Sequence, residues 1–204
     1  MSRYTGSRVK KMRALGLDLP GLSGKTISRR PHPPGEHGMK RRRKPSEYAL
    51  QLKEKQKLRF NYGLNERQFR NLFKEARNSP APTGESILQL LESRLDNTVF
   101  RAGFARTIPA ARQLINHGHI QVNGKPVTIA SYRTRPGDTV GPRPRSSNMK
   151  AISQSLEKLR LARPDWIEFD ARKAVAKVVG LPDAESVPFE VDVQLVIEYY
   201  AKMM

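Results

Sequence analysis

The sequence predicts an α+β fold that is mostly helical and carries one short antiparallel sheet, on three observations. Apolar residues recur at helical spacing between residues 69 and 95, which is typical of amphipathic helices. Apolar and polar residues alternate on both sides of Asn123-Gly124, the usual signal of a two-residue hairpin turn. Residues 1–45, by contrast, are rich in glycine, proline and basic side chains and predict an arm with little core of its own.

Within this basic arm, Pro31-His32-Pro33-Pro34-Gly35 cannot be helical, whereas a short helix can form around Ser7–Leu15. Lys40-Arg41-Arg42-Arg43-Lys44 places five like charges in a row, which repel one another in an isolated chain. We therefore expect the arm to order only against a partner, so that the entropy lost on folding is offset at binding.

Three helices are predicted after the arm, each with its own start signal. Ser46 is expected to cap the first, which runs to about Tyr62 and stops at Gly63. Residues 64–69 combine a capping box with a hydrophobic staple and begin the second helix, and Thr83 begins the third. The side chains expected to face the core from these helices are Tyr48, Ala49, Leu52, Leu58, Phe69, Leu72, Phe73, Ala76, Ile87, Leu88, Leu91 and Leu95.

The second half of the chain is predicted to mix helices with short strands. Thr107 caps a helix that has Pro109 in its first turn and Gly118 just past its end, with Leu114 facing the core. The further predicted elements are a hairpin from Ile120 to Ile129, a turn over 135–138, a strand at Thr139-Val140, a helix near Met149–Leu161, a strand at Ala174–Val179 and a final helix at about Val193–Lys202.

The formal net charge of +19 is a strong functional signal, and it is unevenly spread. Residues 1–62 carry a net charge of +13 and residues 101–150 a net charge of +8, whereas 63–100 and 151–204 are close to neutral. An excess of this size repels itself unless an anion neutralises it, so an acidic partner is expected. Nucleic acid is the first candidate for that partner, and an anionic membrane surface is the second.

Several kinds of chemistry are disfavoured by what the chain lacks. Without cysteine there is no disulfide, thiolate catalyst or cysteine-ligated zinc. No apolar run approaches the roughly 20 residues that span a bilayer, and no secretory signal opens the chain, so we expect a soluble intracellular protein. His117 and His119 could share one face of a strand, but no third metal ligand lies nearby, and no phosphate-binding glycine loop occurs. We therefore predict no catalytic residue, no metal and no cofactor.

Binding to nucleic acid through its phosphates is the chemistry that these residues support best. Arginine and lysine neutralise phosphates, and the helix that starts at Thr107, between Arg106 and Arg112, offers backbone N–H groups as a phosphate seat. Aromatic residues are few and mostly at core spacing, which favours folded RNA over single strands, although charge alone leaves DNA open. The residues expected to bind RNA are Arg3, Arg8, Lys10, Lys11, Arg13, Lys40, Arg41, Arg42, Arg43, Lys44, Lys53, Lys57, Arg59, Arg101, Arg106, Thr107, Arg112, His117, Lys125, Arg133 and Arg135.

Several motifs form one recognisable set. Those in the second half of the chain are Arg94–Asn97, Arg101–Ala105, Ala111–Ile120 and Val122–Gly124. Those elsewhere are Pro33–Gly38, Glu54–Lys57, Tyr62–Leu64, Glu66–Phe69 and Val196–Tyr200. The first group resembles the RNA-binding module of the small-subunit ribosomal protein four family, and the second group resembles the rest of that family's chain. The lack of cysteine matches bacterial, cyanobacterial or plastid members without the zinc ligands.

The resemblance implies a particular domain organisation. Residues 1–45 would be the basic arm, and residues 46–92 a helical domain completed by a C-terminal helix at 191–204. The RNA-binding module, two helices packed on a short antiparallel sheet, would be inserted at 93–153. Residues 154–190 would add a helix and a strand hairpin that complete the α/β domain.

The resemblance also implies a role. The protein would be a structural constituent of the small ribosomal subunit and not an enzyme, binding small-subunit rRNA at a multi-helix junction and nucleating assembly of the body. It would lie beside small-subunit protein five and the messenger RNA entry and contribute to translational accuracy, without forming homo-oligomers or binding membranes. Its place would be the cytoplasm, within the ribosome, or the plastid stroma for an organellar chain. An RNA-modifying enzyme that shares the module, and a free factor that binds ribosomes transiently, remain open as alternatives.

Overall fold

Eight helices and five strands make up the part of the protein that the computed structural model describes, residues 4–40 and 44–203. The helices are α1 (Arg8–Leu15), α2 (Glu47–Asn61), α3 (Glu66–Arg77), α4 (Thr83–Glu92), α5 (Leu95–Arg101), α6 (Ile108–Asn116), α7 (Lys150–Glu157) and α8 (Val193–Ala201). The strands are β1 (Ile120–Val122), β2 (Lys125–Pro126), β3 (Thr139–Pro142), β4 (Ile167–Asp170) and β5 (Val175–Val178). Within these described ranges, every helix is too short or too polar to cross a membrane.

The sheet has the strand order β2-β1-β3-β5-β4, and every neighbouring pair is antiparallel. The β1–β2 turn is the predicted one, since Asn123 and Gly124 have positive φ values of 51° and 75°, as a type I′ turn requires. The hairpin is shorter than predicted: Pro126 ends β2, and Ile129 lies in the following loop with 62% of its surface exposed. The β4–β5 hairpin extends the sheet beyond β3. Of these two strands, residue alternation predicted only the one that corresponds to β5, and β4 lies within the strand hairpin that the resemblance implies at 154–190.

The larger of two apolar clusters in the described chain joins the helices to the sheet. It takes side chains from α2 through α8 and from β1, β3, β4 and β5. Helix α8 packs on α2 and α4 and places Tyr200 against Phe73, with ring centroids 4.6 Å apart. Offset aromatic pairs of this kind add to the stabilisation that burial provides, so the C-terminal helix is an integral part of the helical half.

The first part of the basic arm has a small core, so the prediction of an arm with little core is wrong there. Helix α1 and the turns that follow it bury Met12, Leu15, Leu19 and Leu22. This second cluster is tied to the body, because the Asn61 side-chain oxygen accepts a hydrogen bond of 2.9 Å from the Gly21 N–H. Further along, the described part of the arm forms regular structure in a 3-10 turn at Glu36–Met39.

The buried face of α2 also differs from the prediction. The helix buries Leu58 as predicted, but it exposes Tyr48 and Ala49 and also buries Gln51, Lys55 and Asn61. The buried Lys55 ammonium pairs with Glu66 of α3 at 2.9 Å, which compensates its charge. Because polar side chains with partners elsewhere in the chain form much of this face, apolar spacing alone predicts only its Leu52 and Leu58 part.

Leu114→Ala is expected to lower the free energy of unfolding by about 2–3 kcal/mol. Leu114 belongs to the larger core, so truncation removes apolar contacts and leaves a cavity, whose cost is limited by the slight exposure of the site. Urea denaturation followed by circular dichroism measures the change. Gln113→Ala, at an exposed position on the same helix, is the control and should change the value by less than about 0.5 kcal/mol. Equal midpoints for the two variants would contradict this packing.

Candidate nucleic-acid interface

Several predicted RNA-binding side chains lie at the surface with unengaged charged groups. Within residues 4–40 and 44–203, the exposed cations whose charged ends make no hydrogen bond or ion pair include Lys10, Lys40, Lys44, Lys53, Lys125 and Arg135. Arg8 is partly buried and likewise unpaired within that part of the chain. Arg106 and His117 are exposed, and Arg106 makes one long contact of 3.5 Å to the Gln154 carbonyl oxygen. These groups are available to neutralise phosphates.

The turns that carry Lys125 and Arg135 are locked together by Asp138, the one acidic residue between 101 and 150. Its carboxylate accepts a hydrogen bond of 2.7 Å from the Asn123 side-chain amide and one of 2.8 Å from the Arg135 backbone N–H. The Asn123 side-chain oxygen in turn accepts the Thr139 N–H at 2.8 Å. Asp138 is therefore used to hold the two turns, and among the described residues both cationic side chains stay without a partner.

Arg101 is buried, so we withdraw it from the predicted RNA contacts. Its side chain is 5% exposed, and one Nη donates a hydrogen bond of 2.6 Å to the Ser186 carbonyl oxygen. Its Nε lies 3.6 Å from a carboxylate oxygen of the fully buried Glu92. The charge of Arg101 is therefore compensated inside the protein.

The N-terminus of α6 does not offer the predicted phosphate seat. The Ile108 N–H donates to the Gly21 carbonyl oxygen at 2.8 Å, and the Ala110 N–H donates to the Thr107 hydroxyl at 3.3 Å. Pro109 has no N–H to offer. Thr107 is itself buried as the capping residue, so we withdraw it as a phosphate contact. The Gly21 carbonyl oxygen, in the part of the arm that packs on the body, therefore accepts the N–H that was expected to bind a phosphate.

Arg112 links three elements instead of facing outward. Its Nε donates a hydrogen bond of 2.7 Å to the Asp96 carboxylate of α5. Its two Nη atoms donate to the carbonyl oxygens of Gly63 at 2.5 Å and Tyr62 at 2.6 Å, at the end of α2. The guanidinium is therefore engaged within the protein, although 26% of the side chain remains exposed, and we withdraw Arg112 from the RNA contacts.

The sequence is similar to those of known ribosomal proteins over its whole length. Residues 3–92 match the ribosomal protein S4/S9 N-terminal domain, and residues 93–140 match the S4 domain. The chain is 57% identical over 205 residues to small ribosomal subunit protein uS4B of Nitrosomonas europaea, with 100% of both chains covered. It is 53% identical over 203 residues to small ribosomal subunit protein uS4 of Synechococcus elongatus, with 99% of both chains covered. The chain belongs to the uS4 family of small ribosomal subunit proteins. The resemblance inferred from its motifs is thereby confirmed.

Three further cations of this uS4-family chain are partly engaged with carboxylates. The ion pairs are Lys57–Glu54, Arg59–Glu66 and Arg133–Glu75. Hydrogen bonds from Arg133 hold the pKa of Glu75 below its usual range. Exposed pairs such as Arg133–Glu75 contribute little stability, so a phosphate can compete for the arginine. We keep Arg59 and Arg133 as weaker predicted contacts. Lys57 is withdrawn, because its side chain is 13% exposed and its ammonium also donates to the Glu190 carbonyl oxygen at 3.2 Å.

The two predicted cations in the middle of α1 organise the arm. Lys11 Nζ lies 3.4 Å from the ring centroid of Tyr4 and 3.9 Å from that of Phe60, and burial lowers its pKa. Arg13 donates hydrogen bonds of 2.8 and 3.3 Å to two carbonyl oxygens of the proline-rich segment 31–35. The predicted contacts of Arg3, Arg41, Arg42 and Arg43 lie outside the described residues and stay predictions.

Sequence reasoning missed two cations of the uS4 module, Arg143 and Arg145. The Arg143 N–H donates to the His119 carbonyl oxygen at 2.8 Å, and its Nη1 contacts the Gly118 carbonyl oxygen at 3.3 Å. Arg145 is exposed and, within the described residues, unpaired. Both belong to the stretch in which acids are nearly absent, and that charge run is the signal that could have identified them.

The two histidines that follow α6, His117 and His119, are neighbours, but their side chains make different contacts. The rings of His117 and His119 are 6.1 Å apart, and His119 Nδ1 lies 3.0 Å from the Ser146 hydroxyl. Across the described ranges, no three histidine or carboxylate side chains come together in a way that could hold a metal ion. Two ligands fall short of the three or four protein ligands that zinc sites use.

Proposed function

We propose that this chain is a structural constituent of the small ribosomal subunit and that it binds the small-subunit rRNA directly. The observation that carries the proposal is the pair of locked turns, which present Lys125 and Arg135 while Asp138, the one acid between residues 101 and 150, is occupied in holding the turns. A solubilising surface would mix both signs of charge. The matched family models and the names of the relatives support the ribosomal setting.

Rigid presentation of the cations favours recognition of a folded RNA. The entropy of ordering the two turns is already lost in the folded protein, so less of the binding free energy is consumed on association. Arginine and lysine bind phosphate oxygens without reading base edges, and the shape of the RNA then selects the site. The protein acts by binding and positioning, and no reaction is assigned to it.

The finer parts of the proposal depend on the family resemblance. The chain would nucleate assembly of the body of the subunit and contribute to translational accuracy near the messenger RNA entry. Small-subunit protein five and the messenger RNA would be its neighbours, and the bound protein would be monomeric. Its place would be the ribosome of the cytoplasm, or of the plastid stroma for an organellar chain.

Binding of the full chain to a transcript of the body of small-subunit rRNA is expected to weaken steeply between 50 and 200 mM salt, by roughly 10³-fold or more for six or more phosphates. The double variant Lys125→Ala/Arg135→Ala should bind more weakly and reduce the slope of log K against log salt by about two. Filter binding over a salt series measures both quantities.

Arg172→Ala/Lys173→Ala is the matched control, because it removes one exposed arginine and one exposed lysine from the β4–β5 turn, in the near-neutral stretch 151–204. It should leave the slope close to that of the unchanged protein. A flat salt response of the unchanged protein, or equal affinity for an unrelated RNA, would contradict the proposed function. Equal slopes for the two double variants would contradict the assignment of the interface to the locked turns.

A further inference from the structure

The loop between β2 and β3 carries two exposed apolar side chains that the phosphate interface does not use. Ile129 is 62% exposed and Tyr132 is 38% exposed. In the described part of the chain, the Tyr132 hydroxyl has no hydrogen-bond partner. Exposed apolar side chains that lie close together on a rigid segment often mark a binding surface.

The backbone of this loop is held firmly. The Tyr132 carbonyl oxygen accepts the Leu95 N–H at 2.7 Å, and the Ala130 carbonyl oxygen accepts the Asp96 N–H at 3.2 Å, so the loop caps the first turn of α5. A turn within the loop is closed by the Tyr132 N–H and the Ile129 carbonyl oxygen at 3.1 Å. The exposure of Ile129 and Tyr132 is therefore a property of an ordered loop.

The C-terminal end of the loop is hydrogen-bonded to Ser93, between α4 and α5, and to α5 itself. The Thr134 N–H and hydroxyl both donate to the Ser93 carbonyl oxygen, at 2.8 and 2.9 Å. The Thr134 hydroxyl also lies 3.0 Å from that of Thr98. With both ends of the loop fixed, Tyr132 would lose little conformational entropy on binding a flat ligand.

The charge around the loop identifies the class of ligand. Arg133 pairs with Glu75, while Arg135, three residues beyond Tyr132, has an unpaired guanidinium within the described chain. Lys125 precedes the loop on the β1–β2 hairpin and is also unpaired there. A ligand that is apolar and flat where it meets Tyr132 but anionic nearby is a nucleobase on its sugar-phosphate backbone.

We propose that Tyr132 stacks on an unpaired base of the bound RNA, with Ile129 covering an edge of that base. The inference rests on the proposed function and deepens it, because it adds a contact to an unstacked nucleotide to a surface otherwise built for phosphates. A single aromatic contact of this kind tolerates any base, since every base has a π face. It therefore positions the RNA more than it reads its sequence.

Tyr132→Leu is expected to weaken binding of the full chain to the rRNA transcript about five- to a hundredfold, the range of one lost base stack. Tyr132→Phe keeps the ring and should bind within about twofold of the unchanged protein. Neither variant should alter the salt slope, because no phosphate contact is removed. Filter binding at one salt concentration, repeated over a salt series, measures these effects.

Two controls make the test specific. Tyr48→Leu removes an exposed tyrosine from the start of α2 and should leave the affinity unchanged. A fully paired RNA duplex of equal length offers no free base, so Tyr132→Leu and the unchanged protein should bind it equally. Thermal unfolding of Tyr132→Leu should match that of the unchanged protein, which excludes a loss of affinity through misfolding.

The outcomes separate this inference from the proposed function. If the unchanged protein binds the transcript with a steep salt response and Tyr132→Leu binds equally well, the stacking proposal is overturned while the rRNA proposal stands. That result would also be obtained if the loop contacts a neighbouring protein. An equal loss of affinity for Tyr132→Phe, or for the duplex, would likewise overturn the stacking role. If the unchanged protein does not bind the transcript, the proposed function itself fails.

Discussion

Arg112→Ala is expected to lower the free energy of unfolding by about 3–5 kcal/mol. The change leaves the Asp96 carboxylate, 1% exposed, with Arg94 as its remaining cation, at 3.0 Å. It also removes the arginine donors from the carbonyl oxygens of Tyr62 and Gly63. A buried carboxylate that loses one of its two cations is costly, and each carbonyl oxygen left without a donor adds a desolvation penalty. Urea denaturation followed by circular dichroism measures the change.

Lys125→Ala is the matched control for that experiment, because it removes a cation of the same module from an exposed hairpin. Its stability should stay within about 0.5 kcal/mol of the unchanged protein, while its affinity for RNA should fall. Arg112→Lys keeps the charge but not the planar fork of donors, so it should recover only part of the lost stability. An Arg112→Ala variant with unchanged stability and reduced affinity would place the guanidinium on the RNA instead.

Glu92→Ala is expected to cost a similar amount, about 3–5 kcal/mol. The buried Glu92 carboxylate accepts a hydrogen bond from the Tyr62 hydroxyl and one of 2.9 Å from the Asn97 side-chain amide. Its removal also leaves the buried Arg101 without its counter-ion. The same denaturation experiment measures the loss. A variant as stable as the unchanged protein would mean that water or another acid replaces the carboxylate.

Glu92→Gln tests the charge of this group through its pH dependence. Burial raises the pKa of Glu92, against the opposing effect of Arg101. The folded protein therefore holds this proton more tightly than the unfolded chain does. The stabilisation that comes from this tighter proton binding is fully present below the ordinary glutamate pKa of 4.5. It is lost as the pH rises through the raised pKa that Glu92 has in the folded protein. The stability of the unchanged protein relative to Glu92→Gln should fall across that window, and a difference independent of pH would contradict the raised pKa.

The two buried carboxylates connect the helical half to the RNA-binding module. The Tyr62 hydroxyl, at the end of α2, donates a hydrogen bond to Glu92 of α4, and the Tyr62 carbonyl oxygen accepts one from Arg112 of α6. Asp96 of α5 joins the same network through Arg112. A buried hydrogen-bonded network of this kind specifies one arrangement of the helices that contribute to it. The locked turns are therefore presented on a module whose orientation is set by these contacts.

Local signals in the sequence predicted much of the fold. The capping box of Asn65 and Gln68 has both of its hydrogen bonds, and Ser46 caps α2 through the Ala49 N–H. The Asn123-Gly124 turn has the predicted backbone conformation. The polar part of the buried face of α2 could not be predicted, because its side chains depend on partners elsewhere in the chain, such as Glu198 for Gln51 and Gly21 for Asn61. The small core of the arm was missed although its members lie within residues 12–22, because it is completed by Phe60 and Phe189.

The arginines show most clearly which features the sequence determines and which depend on the tertiary structure. The sequence by itself determined where helices begin, where the hairpin turns and that the surface carries a large positive charge, since caps, turn residues and charge counts depend on neighbouring residues. Only the tertiary structure decided which cations remain for a partner. Arg101 and Arg112 look like Arg106 and Arg135 in the sequence, but they fold against Glu92, Asp96 and the carbonyl groups at the end of α2. A guanidinium is satisfied by whichever oxygen atoms folding brings within about 3 Å of it, and sequence spacing does not reveal which these are.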